Sequence, residues 1–336
     1  MFRQHRALHS LMEIPVSLLD RSRTHTGQSD AAALHQTVAR AQHAEQAGYH
    51  RFWVSEHHGV PGVASGRPAL MAQAVAAATD HIRVGSGGVM LPNHRPMVVA
   101  EEFAMLAALH GHRFDLGLGR SLGFTKAVRE ALAAAEARPQ GFLEDISAVR
   151  AYLAGTAPVT IRPSVTAPIP LFVLGTGSGL KFAAELGLPA VVGGPLLQGS
   201  SDTFTEYRRT FQPSAQLREP YLVVSVEIFV ADSAQQARDL PLPEAWAMAV
   251  SRTTGTFPPL VPTTTIPTHR TSKQQEYMDQ ALNTGITGTP DHVADQLQDL
   301  LARTGAQEIM NTASTFDTQA LYRSDQRLVE VVRAMG

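Results

Sequence analysis

Residues 289–311, TPDHVADQLQDLLARTGAQEIMN, hold a helix and a strand with clean boundaries. Thr289 stands at an N-cap position and Pro290 in the first turn, where a missing N–H costs no helical bond. Val293, Leu297, Leu300 and Leu301 recur at helical spacing before Gly305, and Glu308–Asn311 reads as a short strand. Whether this is the last of a few such units or of eight decides between an open sheet and a closed one.

Upstream, the pattern repeats. Strands are expected at Ile14–Leu19, Arg51–Ser55, Ile82–Ser86, Arg113–Leu118, Leu171–Leu174, Ala190–Val192 and Tyr221–Val230. Helical patterns separate them: Leu34, Val38, Ala41 and Ala44 before a Gly48 stop, then Pro68–Thr79, Met97–Leu109, Gly141–Ala154 and Leu180–Leu186. Parallel strands need such crossovers, and eight alternations favour a closed (β/α)₈ barrel, an α/β fold in one domain over 1–336. Between about 240 and 288 the pattern fails, with Pro241, Pro243, Pro258, Pro259, Pro262 and Pro267 and the run Thr263-Thr264-Thr265. This stretch reads as an insertion between strands seven and eight that covers the site.

Composition narrows the function classes. Apolar residues are 44% and charged residues 17% of 336, enough apolar material for a large core and too little charge for disorder. Formal net charge is -2 with the 28 basic residues scattered, so neither nucleic acid nor an anionic membrane surface is an expected partner. With no cysteine there is no disulfide, thiolate zinc site or cysteine nucleophile. His5, Arg6, His9 and Glu13 interrupt any apolar run near the start, so neither a leader nor a membrane span is expected, and a cytoplasmic location follows by default.

In a barrel of this kind, chemistry sits where strands end. Trp53-Val54-Ser55-Glu56-His57-His58 puts a Glu-His-His cluster after strand two. Adjacent histidines alternate faces, so His57 and His58 do not form a two-ligand metal site, and no metal is expected. Val84 to Pro92 places Ser86, Gly87 and Gly88 at the end of strand three, where glycine permits close approach of a flat ligand. Phe114 to Ser121 delivers Arg120 to the rim of strand four, and a guanidinium suits a phosphate. Gly175-Thr176-Gly177-Ser178 joins strand five to a helix, offering N–H groups and a dipole end to an anion. The G-x-G-x-x-G spacing is absent, which disfavours a dinucleotide domain. One phosphate loop and one rim arginine suggest a mononucleotide, and FMN fits.

These segments in this order resemble the bacterial luciferase-like monooxygenases, together with Ala183-Ala184-Glu185-Leu186-Gly187-Leu188-Pro189 and Gly288-Thr289-Pro290, over roughly residues 14–333. The resemblance implies reduced FMN (FMNH₂) supplied by a separate flavin reductase, reacting with O₂ through a flavin C4a-hydroperoxide to oxygenate a small organic substrate, with a polyketide-like secondary metabolite as the expected class. It implies that His57, with Glu56 beside it, moves protons through an imidazole of near-neutral pKa. It implies that a non-proline cis peptide falls at Gly87-Gly88, and that Arg120 and Gly175 to Ser178 hold the phosphate, with Arg138 a candidate second arginine. The luciferase subunit's Glu-Ser pair is replaced here by Gly175-Thr176. It further implies a homodimer formed through helices near strands two and three. Two other readings stand beside this one: an F420-dependent oxidoreductase on the same barrel, and a non-catalytic flavin-binding homologue. Phe124, Trp246 and Phe257 are candidates for an apolar substrate pocket.

Overall fold

The computed structural model describes residues 14–133, 139–175 and 178–336. Its strands are β1 (Val16–Asp20), β2 (Arg51–Val54), β3 (Arg83–Met90), β4 (Phe114–Gly119), β5 (Leu171–Leu174), β6 (Ala190–Gly193), β7 (Leu222–Val226), β8 (Ile228–Val230), β9 (Ile286–Gly288) and β10 (Glu308–Asn311). Eight of them close a parallel barrel in the order β1-β10-β7-β6-β5-β4-β3-β2. The helices are α1 (Asp30–Ala47), α2 (Pro68–Ala77), α3 (Pro96–His110), α4 (Lys126–Ala131), α5 (Pro139–Leu153), α6 (Ser178–Leu186), α7 (Asp202–Thr210), α8 (Ala234–Asp239), α9 (Leu242–Thr254), α10 (Ser272–Thr284), α11 (Pro290–Thr304) and α12 (Thr318–Met335). Among the described residues no helix is long and apolar enough to cross a membrane.

Side chains that alternate along each strand fill the barrel in layers. The floor is charged. Arg51 Nε and Nη2 donate to Glu308 at 2.8 and 3.1 Å, and Arg51 Nη1 donates to Asp115 at 2.6 Å. Arg83 also donates to Asp115, while the Ser17 and Tyr221 hydroxyls donate to Glu308. Above it lies an apolar layer of Trp53, Phe172, Val191, Val223 and Met310, with Leu19 and Leu174 packed against it.

Two of the strand boundaries that differ from the sequence expectation bear on the site. The span Tyr221–Val230 is two strands, because the Asn311 side chain at the end of β10 accepts the Ile228 N–H at 2.9 Å and turns the chain out of the barrel. Ile228–Val230 then pairs with Ile286–Gly288 in a separate parallel ribbon. Second, β3 continues through its glycines to Met90, with a register shift at Gly88. Thr289 occupies the N-cap of α11 as expected, with Pro290 in the first turn, although its side chain makes no capping bond.

The stretch 240–288 is more regular than its prolines suggested: it holds the helices α9 and α10, which pack on each other through Ala245, Ala249, Trp246 and Met278. The link after α9 crosses to the barrel mouth. There Gly62 N–H donates to the Phe257 carbonyl at 2.8 Å and Leu260 N–H to the Thr24 carbonyl at 2.8 Å.

Candidate active site

His57 leaves β2 on the inward side, two residues beyond Ser55 and four beyond Trp53. Its Nδ1 lies 3.1 Å from the buried Ser55 hydroxyl, and its ring stands 5.9 Å from that of Phe124. Burial, then repulsion by Arg21 and Arg23, holds the imidazole neutral and lowers its pKa to about 4. The near-neutral titration expected from the sequence is therefore not what this environment produces, since a cation here would lose hydration and face two arginines.

Glu56 points the other way and makes no hydrogen bond to His57. Its Oε1 accepts from His58 Nε2 at 2.8 Å and from Asn93 Nδ2 at 3.0 Å. Its Oε2 accepts from the Met90 N–H at 2.9 Å and His94 Nε2 at 2.8 Å. Despite burial, hydrogen bonds from His94 and Asn93 hold its carboxyl below the usual range. The ligand atoms of Glu56, His58 and His94 lie within 4.8 Å of one another, a donor set suited to a divalent ion. Both carboxylate oxygens are already saturated by four donors, so the group is complete as a clamp joining the end of β2 to the turn after β3. His58, rather than His57, joins Glu56 and His94 in this group.

The Gly87–Gly88 peptide is cis. A Cβ on Gly87 would lie 2.5 Å from Leu19 Cδ1, and one on Gly88 would lie 2.8 Å from the Gly117 carbonyl oxygen. Close packing against the β4 backbone therefore already requires glycine at Gly88, while at Gly87 a Cβ would displace the end of the Leu19 side chain. Ser86 is turned into the wall: it is fully buried and its hydroxyl donates to Gly117 O at 2.9 Å. The structure does not bring Ser86 to the mouth.

Arg120 follows β4 and places its guanidinium 5.5 Å from the ring of Phe182 in α6. Rim arginine and α6 are thus brought together, and the first N–H groups of that helix have no intrahelical partner. Gly175 is not an open donor, because its N–H is bonded to the Val191 carbonyl at 3.1 Å and a Cβ would strike Gly179. Ser178 begins α6, whereas Thr176, Gly177 and Arg138 lie outside the described residues. Of the apolar candidates, Phe124 and Phe257 stack with centroids 6.3 Å apart, and Trp246 packs instead between α9 and α10.

Four charged residues at the mouth were not singled out from sequence. Arg21 follows β1, Glu227 follows β7, and Arg23 and Glu244 complete the group. Arg21 bonds Glu227 at 3.0 Å and Glu244 at 3.0 Å, Arg23 bonds Glu244 at 2.8 Å, and the Arg23 guanidinium sits 4.1 Å over the Phe257 ring. The period of two along β1 and β7 was the available signal: Leu19 to Arg21, and Val223 through Ser225 to Glu227, share the inward face.

The profile of the luciferase-like monooxygenases matches residues 12–308. A luciferase-like monooxygenase of Escherichia coli is 33% identical over 326 residues, covering 95% of this chain and 97% of its own. The crystal structure of apo-MsnO8 superposes with a TM-score of 0.85 at 28% identity, covering 95% of this chain and 98% of its own. The same fold recurs at 15% identity and TM-score 0.71 in the oxygenating constituent of 3,6-diketocamphane monooxygenase of Pseudomonas putida in complex with FMN, covering 96% of this chain and 98% of that one. It recurs at 16% identity and TM-score 0.68 in an F420-dependent secondary alcohol dehydrogenase, covering 96% of this chain and all of that one (100%). The chain belongs to the luciferase-like monooxygenase family of oxidoreductases.

Proposed function

We propose that this protein is the oxygenating component of a two-component flavin monooxygenase, taking FMNH₂ from a separate reductase and using O₂ to oxygenate a small organic substrate. The observation that carries the reading is the Arg120 guanidinium 5.5 Å from the ring of Phe182 in α6, on the rim that also carries His57. A rim cation near a helix that begins at Ser178 supports a phosphate monoester as ligand, because a guanidinium and the first N–H groups of a helix both favour an anion, and FMN carries such a group. When bound, reduced FMN supplies the electrons that activate dioxygen. Arg120 and the first turn of α6 hold the phosphate, with Thr176, Gly177 and Ser178 proposed as further contacts and the Gly87–Gly88 backbone as a face for the ring. His57, oriented at Nδ1 by Ser55, holds or moves a proton at Nε2 as a neutral imidazole. Phe124, stacked on Phe257, flanks that imidazole. Glu56 acts at one remove, as the clamp that positions the β2 and β3 ends.

Anaerobic titration with FMNH₂ and with reduced F420, followed by oxygen uptake, tests the assignment. FMNH₂ binding that weakens by about tenfold or more in Arg120→Ala supports it, since one charge-assisted contact is worth about 1.5–3 kcal/mol. Binding of F420 alone, with hydride transfer and no oxygen uptake, overturns it. We also propose a homodimer, because Leu70 of α2 and Val98, Met105 and Leu109 of α3 are exposed on neighbouring helices, with Arg67 and Glu102 paired at 2.7 Å between them.

A further inference from the structure

The cofactor reading uses the rims of β2 to β5; the opposite arc of the mouth, formed by β1, β10 and β7 in the ring order, remains. It is built around a shared arginine. Arg21 Nη2 donates to Glu227 Oε1 at 3.0 Å, the Thr312 carbonyl at 3.1 Å and Ser314 Oγ at 3.4 Å, while its Nη1 meets Glu244 Oε1 at 3.0 Å. Glu244 faces two arginines: Arg23 Nε donates to its other oxygen at 2.8 Å, while its buried Oε1 has the ion-pair contact with Arg21 but no hydrogen bond among the described residues. Glu227 has a share of one. Its Oε2 has no hydrogen-bond partner among the described residues, and its side chain is 26% exposed where Glu244 is 3% exposed.

The charges facing Glu227 come from three elements. Arg21 and Arg23 follow β1, and Glu244 projects from α9; His57, across the mouth, is neutral. Burial, reinforced by the Glu244 carboxylate, pushes Glu227 up to about 7 against the pull of Arg21. An anionic ligand at Oε2 would meet two carboxylates, and the two arginines that could attract it are already paired to them. A neutral hydroxyl would fill the open oxygen but leave the Glu227–Glu244 repulsion standing. A cationic nitrogen satisfies both demands.

We propose that Glu227 is a substrate-binding carboxylate whose open Oε2 receives a protonated amine of the organic substrate. The proposal rests on the reading of this mouth as the substrate site and specifies the substrate class. Binding of the ammonium holds Glu227 ionised, so a carboxyl protonated before binding releases its proton to solvent, and the ion pair R–NH₃⁺···⁻OOC forms with no other bond changed.

The experiment is calorimetric and uses the full chain without cofactor. 2-Phenylethylamine, 2-phenylethanol and phenylacetate share one skeleton and differ in charge; each is titrated at pH 7 in buffers of different ionisation enthalpy. The amine is expected to bind best and to release protons on binding, as a carboxyl raised towards neutral pH requires. Glu227→Gln keeps the shape and an acceptor for Arg21; it is expected to weaken the amine by about tenfold or more and to abolish the release. Glu227→Asp, which restores the charge, is expected to recover part of the affinity. Proton uptake, equal or tighter binding of the alcohol or phenylacetate, undiminished amine binding in Glu227→Gln, or no amine binding at millimolar concentration each overturns the proposal. The proton count on the unaltered protein needs no variant to fold. Because no flavin is present, FMNH₂ binding with amine failure sinks this inference alone, and the converse sinks only the cofactor reading.

Discussion

His57 and Glu56 are neighbours in sequence and belong to different environments, because successive side chains leaving a strand face opposite ways. His57 is held neutral down to about 4, whereas in the unfolded chain it takes its proton near 6.5. Its contribution to stability is therefore complete above about 6.5 and is lost as the pH falls towards about 4. An NMR titration of the ring should give a midpoint near 4, and a midpoint near 6.5 would show that the pocket does not repel charge as described. Glu56 behaves in the opposite chemical sense with the same slope: its carboxyl is held below its ordinary 4.5, so its support is present above that pH and disappears as acid protonates it. Glu56→Ala strands the four donors that it serves and should lower unfolding free energy by about 2–4 kcal/mol in urea at pH 7. A loss below about 0.5 kcal/mol would mean that the clamp is dispensable. The residue types were readable in Ser55-Glu56-His57-His58; their division of labour depended on His94 and Asn93, which arrive from the turn after β3.

At the scale of elements, β3 shows why glycine reads ambiguously. A strand-end turn and a ligand face both use it, yet a Cβ at Gly85 would lie 2.5 Å from the Asp115 carbonyl and 2.6 Å from Trp53 Nε1. Gly85→Ala should lower stability by about 1–3 kcal/mol, since neither backbone nor a fully buried indole yields easily. Thermal unfolding checks it, and an unchanged midpoint would mean that the barrel wall gives. The proline-rich stretch misled for a related reason. Pro241 and Pro243 sit at the start of α9, where proline is tolerated, and Thr271 with Gln274 forms a capping box at α10. Those prolines open a helix rather than break one, while Pro258, Pro259 and Pro262 mark the link to the mouth.

Across the whole molecule, the barrel floor ties strands far apart in sequence by charge. Arg51 on β2 holds Asp115 on β4 and Glu308 on β10, all buried. Arg51→Met leaves two buried carboxylates short of their partner and should cost about 3–5 kcal/mol, read from equilibrium unfolding. A stability change near zero would show that Arg83 and Tyr221 carry the carboxylates alone. The closed ring also sets the division of the mouth, since β4 and β5 stand across from β10 and β1.

Local pattern was enough for the eight alternations, the Gly48 and Gly305 stops and the positions of His57 and Arg120, because helical and extended periods and chain reversals are written in neighbouring residues. Tertiary structure alone decided that Ser86 is wall, that Glu56 is a clamp, that Asn311 splits the seventh strand from its ribbon, and that Arg21 and Glu227 meet across 206 positions of chain. Each of those depends on which side chain from a distant strand fills the space opposite, and barrel closure settles that only when all eight strands are in register.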